Sequence, residues 1–105
     1  LYQYIQEIIE RPEKMNLNHL YYFKTLAGLE HYAKAAKELN ISQPSLSYAI
    51  AGLEKELGVP LFRKKGRNVV LTSYGKAFEE YVTIAIAQLE DGVRFIQNMD
   101  GEEKA

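Results

Sequence analysis

Residues 33–57, AKAAKELNISQPSLSYAIAGLEKEL, constrain the fold of this chain more than any other stretch. Tyr32, Ala35, Ala36 and Leu39 share one helical face, and that pattern stops at Asn40. A second pattern starts at Ser42 and places Leu46, Ile50, Leu53 and Leu57 on one face, spaced by four, three and four. Two helices joined by a turn this short, with small alanines where they cross, form a helix-turn-helix. The turn has its own chemistry. Asn40 tolerates the left-handed conformation that ends a helix, and Ile41 is placed to plug the space between the helices. Ser42 can cap the next helix. Pro44 falls in the first turn, where its missing N–H costs little. The second helix therefore begins with Gln43-Pro44-Ser45, an exposed N-terminus with a partial positive charge suited to phosphate. The amide of Gln43 suits an adenine edge.

A net charge of −1 over 105 residues argues against nucleic acid until it is divided along the chain. Residues 31–72 carry seven basic and three acidic groups, net +4, whereas residues 73–105 carry three basic and seven acidic, net −4. Positive charge is thus gathered on the helix-turn-helix and the segment after it, the distribution that steers a domain onto DNA. The absence of cysteine excludes disulfides and thiolate zinc sites. His19 and His31 lack ligand spacing, so no metal and no cofactor is expected. No apolar run approaches the roughly 18 residues of a membrane span, and no cleavable signal is evident.

Residues 1–14 form a leader whose Tyr2, Ile5, Ile8 and Ile9 are helically spaced and whose pattern ends at Pro12. Met15 reads as a natural start, which makes the leader an upstream extension or an expression remnant. Asn16 or Asn18 can cap a helix carrying Leu17, Leu20, Tyr21, Phe23, Leu26 and Ala27. Gly58 and Pro60 stop the helix-turn-helix. In 61–72, LFRKKGRNVVLT, the period changes to short β-type runs around a basic tip. Such a hairpin must lean on the helices through Leu61, Phe62, Val69 or Leu71, and its place makes it a wing. From Ser73 to about Asn98, with Thr72 or Ser73 as cap, a long helix places Phe78, Val82, Ala85, Leu89 and Ile96 in a near-heptad, with Tyr81, Ile86 and Val93 as a second apolar edge. About 25 residues span about 37 Å, too long for so small a domain to cover. A second copy related by a two-fold axis is the simplest cover. Residues 99–105 are expected to be a frayed acidic tail. The fold class expected is mainly α, a winged helix-turn-helix with a small β-hairpin wing (15–72) and a long C-terminal dimerisation helix (73–98).

This order of elements, with AA-x-x-L-N-I-S-Q-P-S-L-S at 35–47, LE-x-ELGVPLF at 53–62 and R-x-V-x-LT at 67–72, resembles the amino-terminal DNA-binding domain of LysR-type transcriptional regulators. The resemblance runs from about Met15 to Asn98. It implies a homodimer joined through the long helix, placing two recognition helices in successive major grooves of an inverted-repeat operator. It implies that Ser42, Gln43, Pro44, Ser45 and Ser47 sit at the DNA, and that Arg67 reaches the minor groove or its phosphates. Members of the family continue into an effector domain of roughly 200 residues that senses a small-molecule inducer. That domain is not represented here, so the chain is expected to be a fragment that binds DNA without sensing. The resemblance also implies a bacterial cytoplasmic, nucleoid-associated protein.

The chain departs from the family at several positions. Basic or polar side chains are common at Tyr48 and polar ones at Ala51 and Gly52. Thr is frequent at Ala33, Ser at His31 and Arg at Lys64. The recognition face Ser45, Tyr48, Ala51, Gly52 and Lys55 is correspondingly less polar, which shifts readout toward Gln43, the serines and the wing. Each site residue carries a plainer alternative. Gln43 reads a base or touches phosphate; Tyr48 packs on a thymine methyl, on sugar, or on its own protein. Arg63, Lys64 and Lys65 supply a general electrostatic footprint or a solvated run, and Lys34 and Lys37 face the backbone or water. Phe78, Val82, Ala85, Leu89, Val93 and Ile96 are core or dimer seam. Two other function classes compete: a winged helix used only for protein interaction or dimerisation, which needs neither a basic wing nor a polar helix N-terminus, and an enzyme, for which no nucleophile–base pair or paired carboxylate has usable spacing.

Overall fold

The computed structural model describes residues 1–10 and 15–104. Five helices and one hairpin follow in the order α1 (Tyr2–Glu10), α2 (Leu17–Leu29), α3 (Tyr32–Leu39), α4 (Gln43–Leu57), β1 (Phe62–Lys65), β2 (Asn68–Leu71) and α5 (Ser73–Lys104). The Pro12 stop expected for the leader lies outside the described residues.

Helix boundaries follow local chemistry. Asn16 caps α2 by accepting from the His19 N–H at 3.0 Å. His31 caps α3 through Nδ1, which accepts from the Lys34 N–H at 3.2 Å. Glu30 and Asn40 close α2 and α3 in the left-handed region, with φ of 55° and 57°. Gly58 does the same for α4 at φ 75°. Thr72, not Ser73, caps α5: its Oγ1 accepts from the Gly75 N–H at 3.1 Å and donates to the Pro60 carbonyl at 2.6 Å.

The core joins α2, α3, α4, the hairpin and the first half of α5. Phe23 is its hub, fully buried, with the Phe62 and Phe78 rings centred 5.5 and 5.1 Å away. Ala35 and Ala36 are buried where α3 crosses its neighbours. Leu46, Ala49, Ile50 and Leu53 form the buried stripe of α4, while Leu57 at its end and Leu17 at the start of α2 stay exposed. Ile41 packs half-buried against the core.

The hairpin is antiparallel, pairing Phe62 with Leu71 and Lys65 with Asn68. Gly66 takes φ 64° in the first position of the two-residue turn, where type II′ hairpins place glycine. Leu61 and Val69 are buried and Phe62 and Leu71 pack on the core. Three polar ties fix the hairpin further. The Glu54 carboxylate accepts from the Leu61 and Phe62 N–H groups at 2.7 and 3.3 Å. The Val69 N–H donates to the Glu30 carbonyl at 3.1 Å, and the Thr72 N–H to the Leu61 carbonyl at 2.9 Å.

Two expectations about α5 are corrected. The helix does not fray after Asn98 but continues to Lys104, 32 residues or about 48 Å. Val82 belongs to the domain's own core at 3% exposure, with Ile86 beside it, and Phe78 packs against Phe23. One turn repeats every 3.6 residues, so Val82 and Ile86 continue the inward face on which Phe78 lies.

Candidate nucleic-acid interface

The N-terminus of α4 is built by Ser42. Its Oγ accepts from the Ser45 N–H at 3.1 Å and donates to the Ser45 Oγ at 2.7 Å. Its carbonyl accepts from the Leu46 N–H. Pro44 has no N–H to satisfy. Among the described residues nothing accepts from the Gln43 N–H, so this donor points out of the helix end with the dipole behind it. Because Ser42 donates to Ser45, the Ser45 hydroxyl keeps its own hydrogen for an outside acceptor. Ser42, Gln43, Pro44, Ser45, Ser47 and Tyr48 are all exposed, so one helix end gathers six of the residues singled out in sequence.

The second cluster is the wing. Arg63, Lys64, Lys65 and Arg67 are exposed, with Arg67 in the turn itself. Register divides them. Lys64 pairs with buried Val69 and shares the inner face of the ribbon, whereas Arg63 and Lys65 lie opposite Val70 and Asn68 on the outer face. Arg63 and Lys65 join Lys76 of α5 around an open notch also lined by Glu30, Val70 and Leu71. Among the described residues none of these three cations has an ion-pair partner. Lys76 was not singled out in sequence, because only the docking of α5 beside the hairpin brings it to Arg63. Lys34 lies exposed in the first turn of α3.

Two supporting residues also escaped the sequence reading. Glu54 looks like a solvated acid on a charged helix, yet its carboxylate holds the start of the hairpin. Gly75 is buried, and a Cβ there would lie 2.1 Å from the Leu61 carbonyl oxygen. No local pattern signals that approach.

Beyond Glu90, whose carboxylate accepts from the Tyr21 hydroxyl at 3.4 Å, α5 leaves the domain. Burial and the nearby Glu90 charge both push the Tyr21 hydroxyl above its ordinary range. Of the expected seam, Ala85, Leu89, Val93 and Ile96 are exposed, the last three at 46%, 50% and 62%. Leu89, Gly92, Val93 and Ile96 line an apolar groove along the helix. No helix among the described residues is long and apolar enough to cross a membrane.

Residues 17–76 match the family described as bacterial regulatory helix-turn-helix protein, lysR family. The chain belongs to the LysR family. This family is one of transcription regulators, not enzymes, and the matched residues are its helix-turn-helix DNA-binding domain. An uncharacterized HTH-type transcriptional regulator, YybE of Bacillus subtilis (strain 168), is 46% identical over 83 residues, covering 79% of this chain and 28% of that protein. The chain therefore spans little more than a quarter of that LysR-family relative. Among solved structures, a BenM DNA-binding domain in complex with catB site 1 DNA superposes with a TM-score of 0.80 at 32% identity, covering 85% of this chain and 96% of that one. A complex of the CbnR DNA-binding domain with DNA gives 0.75 at 30% identity, covering 81% and 98%. The winged helix-turn-helix, its hairpin and the long C-terminal helix are the LysR arrangement.

Proposed function

We propose that this LysR-family domain binds double-stranded DNA sequence-specifically as a homodimer on an inverted-repeat operator. The observation that carries the reading is the exposed, serine-capped N-terminus of α4, with the Gln43 amide and N–H free at its tip. The fold it shares with DNA-bound BenM and CbnR domains supports the same conclusion. Gln43 reads a base edge, Ser42, Ser45 and Ser47 bind phosphate or base, and Pro44 lets the helix end approach closely. Arg67 enters a groove beside the major-groove contact, while Arg63, Lys64, Lys65 and Lys34 supply the electrostatic attraction.

Dimerisation is assigned to the outer half of α5. Leu89, Val93 and Ile96, with Ala85 at the near end, leave apolar surface in water that a second α5 would cover. Phe78 and Val82 are already occupied within the domain, so the seam begins further along the helix than the near-heptad suggested. The reading places the protein in the bacterial cytoplasm at the nucleoid and assigns no small-molecule site to these residues.

Selection of binding sites from random duplexes tests the proposal. The expected result is a recovered pair of inverted half-sites whose separation matches the helical repeat of DNA. Recovery of no preferred sequence would remove sequence-specific binding and favour the protein-interaction alternative.

A further inference from the structure

We propose that the middle of α4 reads the 5-methyl group of thymine, with Tyr48 as the residue that determines specificity. The inference rests on the DNA-binding reading and names what that face recognises. Tyr48 is 80% exposed, so folding leaves a whole aromatic ring in water. It stands on the outward face of α4 with Ser45, Ala51, Gly52 and Lys55, opposite the buried Leu46, Ala49, Ile50 and Leu53. Packing of the ring on its own protein is excluded by that exposure.

What surrounds the ring narrows its partner. Between Ser45 and Lys55 there is no amide and no guanidinium, and the Glu54 carboxylate is taken up by the hairpin, so side chains that read bases by paired hydrogen bonds are missing between those two positions. Ala51 and Gly52, three and four residues on, are the smallest available. A Cβ built on Gly52 meets nothing within 4 Å, so open space lies at this point of the outward face. The helix thus offers an aromatic surface next to a gap bounded by two small residues. In the major groove only thymine presents an apolar group, its 5-methyl, and that group would meet the ring edge and fill the gap.

The test uses the best site recovered from random duplexes, with each thymine replaced in turn by deoxyuridine, and measures affinity by fluorescence anisotropy. One or two positions per half-site are expected to lose about fourfold, the worth of one buried methyl. Tyr48→Ala should bind thymine and deoxyuridine duplexes alike, while Tyr48→Phe keeps the penalty because the ring, not the hydroxyl, makes the contact. Tolerance of deoxyuridine at every position, or a penalty that survives in Tyr48→Ala, would overturn the inference while leaving specific binding intact. Equal binding to selected and random duplexes would overturn the sequence-specific reading and this inference together.

Discussion

Two glycines of this domain predict opposite outcomes for the same substitution. At Gly75 an added methyl would lie 2.1 Å from the Leu61 carbonyl oxygen and 2.8 Å from Leu71 Cδ2. Ordinary contact begins near 3.4 Å, so the first turn of α5 must back away from the hairpin by about 1 Å. That movement stretches the Thr72 N–H bond to Leu61 at 2.9 Å and the Thr72 hydroxyl bond to Pro60 at 2.6 Å. Losing both costs about 1–3 kcal/mol, and the strain of overpacking adds about 1–3 kcal/mol. Alanine returns about 1 kcal/mol of helix propensity, so Gly75→Ala should destabilise by about 3 kcal/mol and lower the melting temperature by about 10–20 °C. At Gly52 the methyl enters empty space in mid-helix, and Gly52→Ala should stabilise by about 1 kcal/mol. Thermal melts followed by far-UV circular dichroism at one fixed protein concentration, which holds any dimer equilibrium constant, read both. A Gly75→Ala chain that melts with the parent, or a Gly52→Ala chain that melts lower, would refute the reasoning from close approach.

Other perturbations address the DNA face and the long helix. Gln43→Ala should weaken the cognate site by about 1–3 kcal/mol and leave random duplex nearly unaffected, and equal losses on both would remove Gln43 from the readers. Arg67→Ala should flatten the salt dependence of binding by about one unit; an unchanged slope places the wing off the DNA. Leu89→Glu should give monomers in sedimentation, and a parent chain already monomeric at micromolar concentration would count against the α5 seam. Burial and, second, the Glu54 charge raise the Tyr32 hydroxyl above its ordinary value of 10.0. The folded state therefore holds this proton more tightly than the unfolded chain. The resulting stability is present below that ordinary value and is lost as pH rises through the folded one. Urea melts should show a decline in alkali that Tyr32→Phe reduces; an identical decline in both chains would acquit Tyr32.

The sequence disclosed those parts of the fold that depend on local rules. Leu46, Ile50 and Leu53 announced the buried face of α4 by spacing alone. Asn40 announced the end of α3, and Ser42 and Gly58 the boundaries of α4, because capping and left-handed residues act within a few positions. Basic residues flanking Gly66 announced the wing. What stayed hidden depends on which elements meet. The near-heptad of α5 could not say that Val82 is buried in the domain's core while Leu89 faces outward, since both satisfy the same period. Gly75 reads as an ordinary small residue until α5 is laid against Leu61. Lys76 joins Arg63 and Lys65 only through the same docking, and Glu54 gains its partners only when the chain returns past it at Leu61 and Phe62. In the candidate site, the helix-end residues were legible and the outer notch was not.

The Glu54 carboxylate has a mechanical consequence. One acid on α4 grips two successive amides at the root of the hairpin, so α4 and the ribbon, the two elements proposed to meet DNA, are held as a caliper with a set opening. A duplex that meets both jaws must adopt the matching groove width. On the proposed reading, base pairs lying between the contacts would be selected by their stiffness without being touched by a side chain.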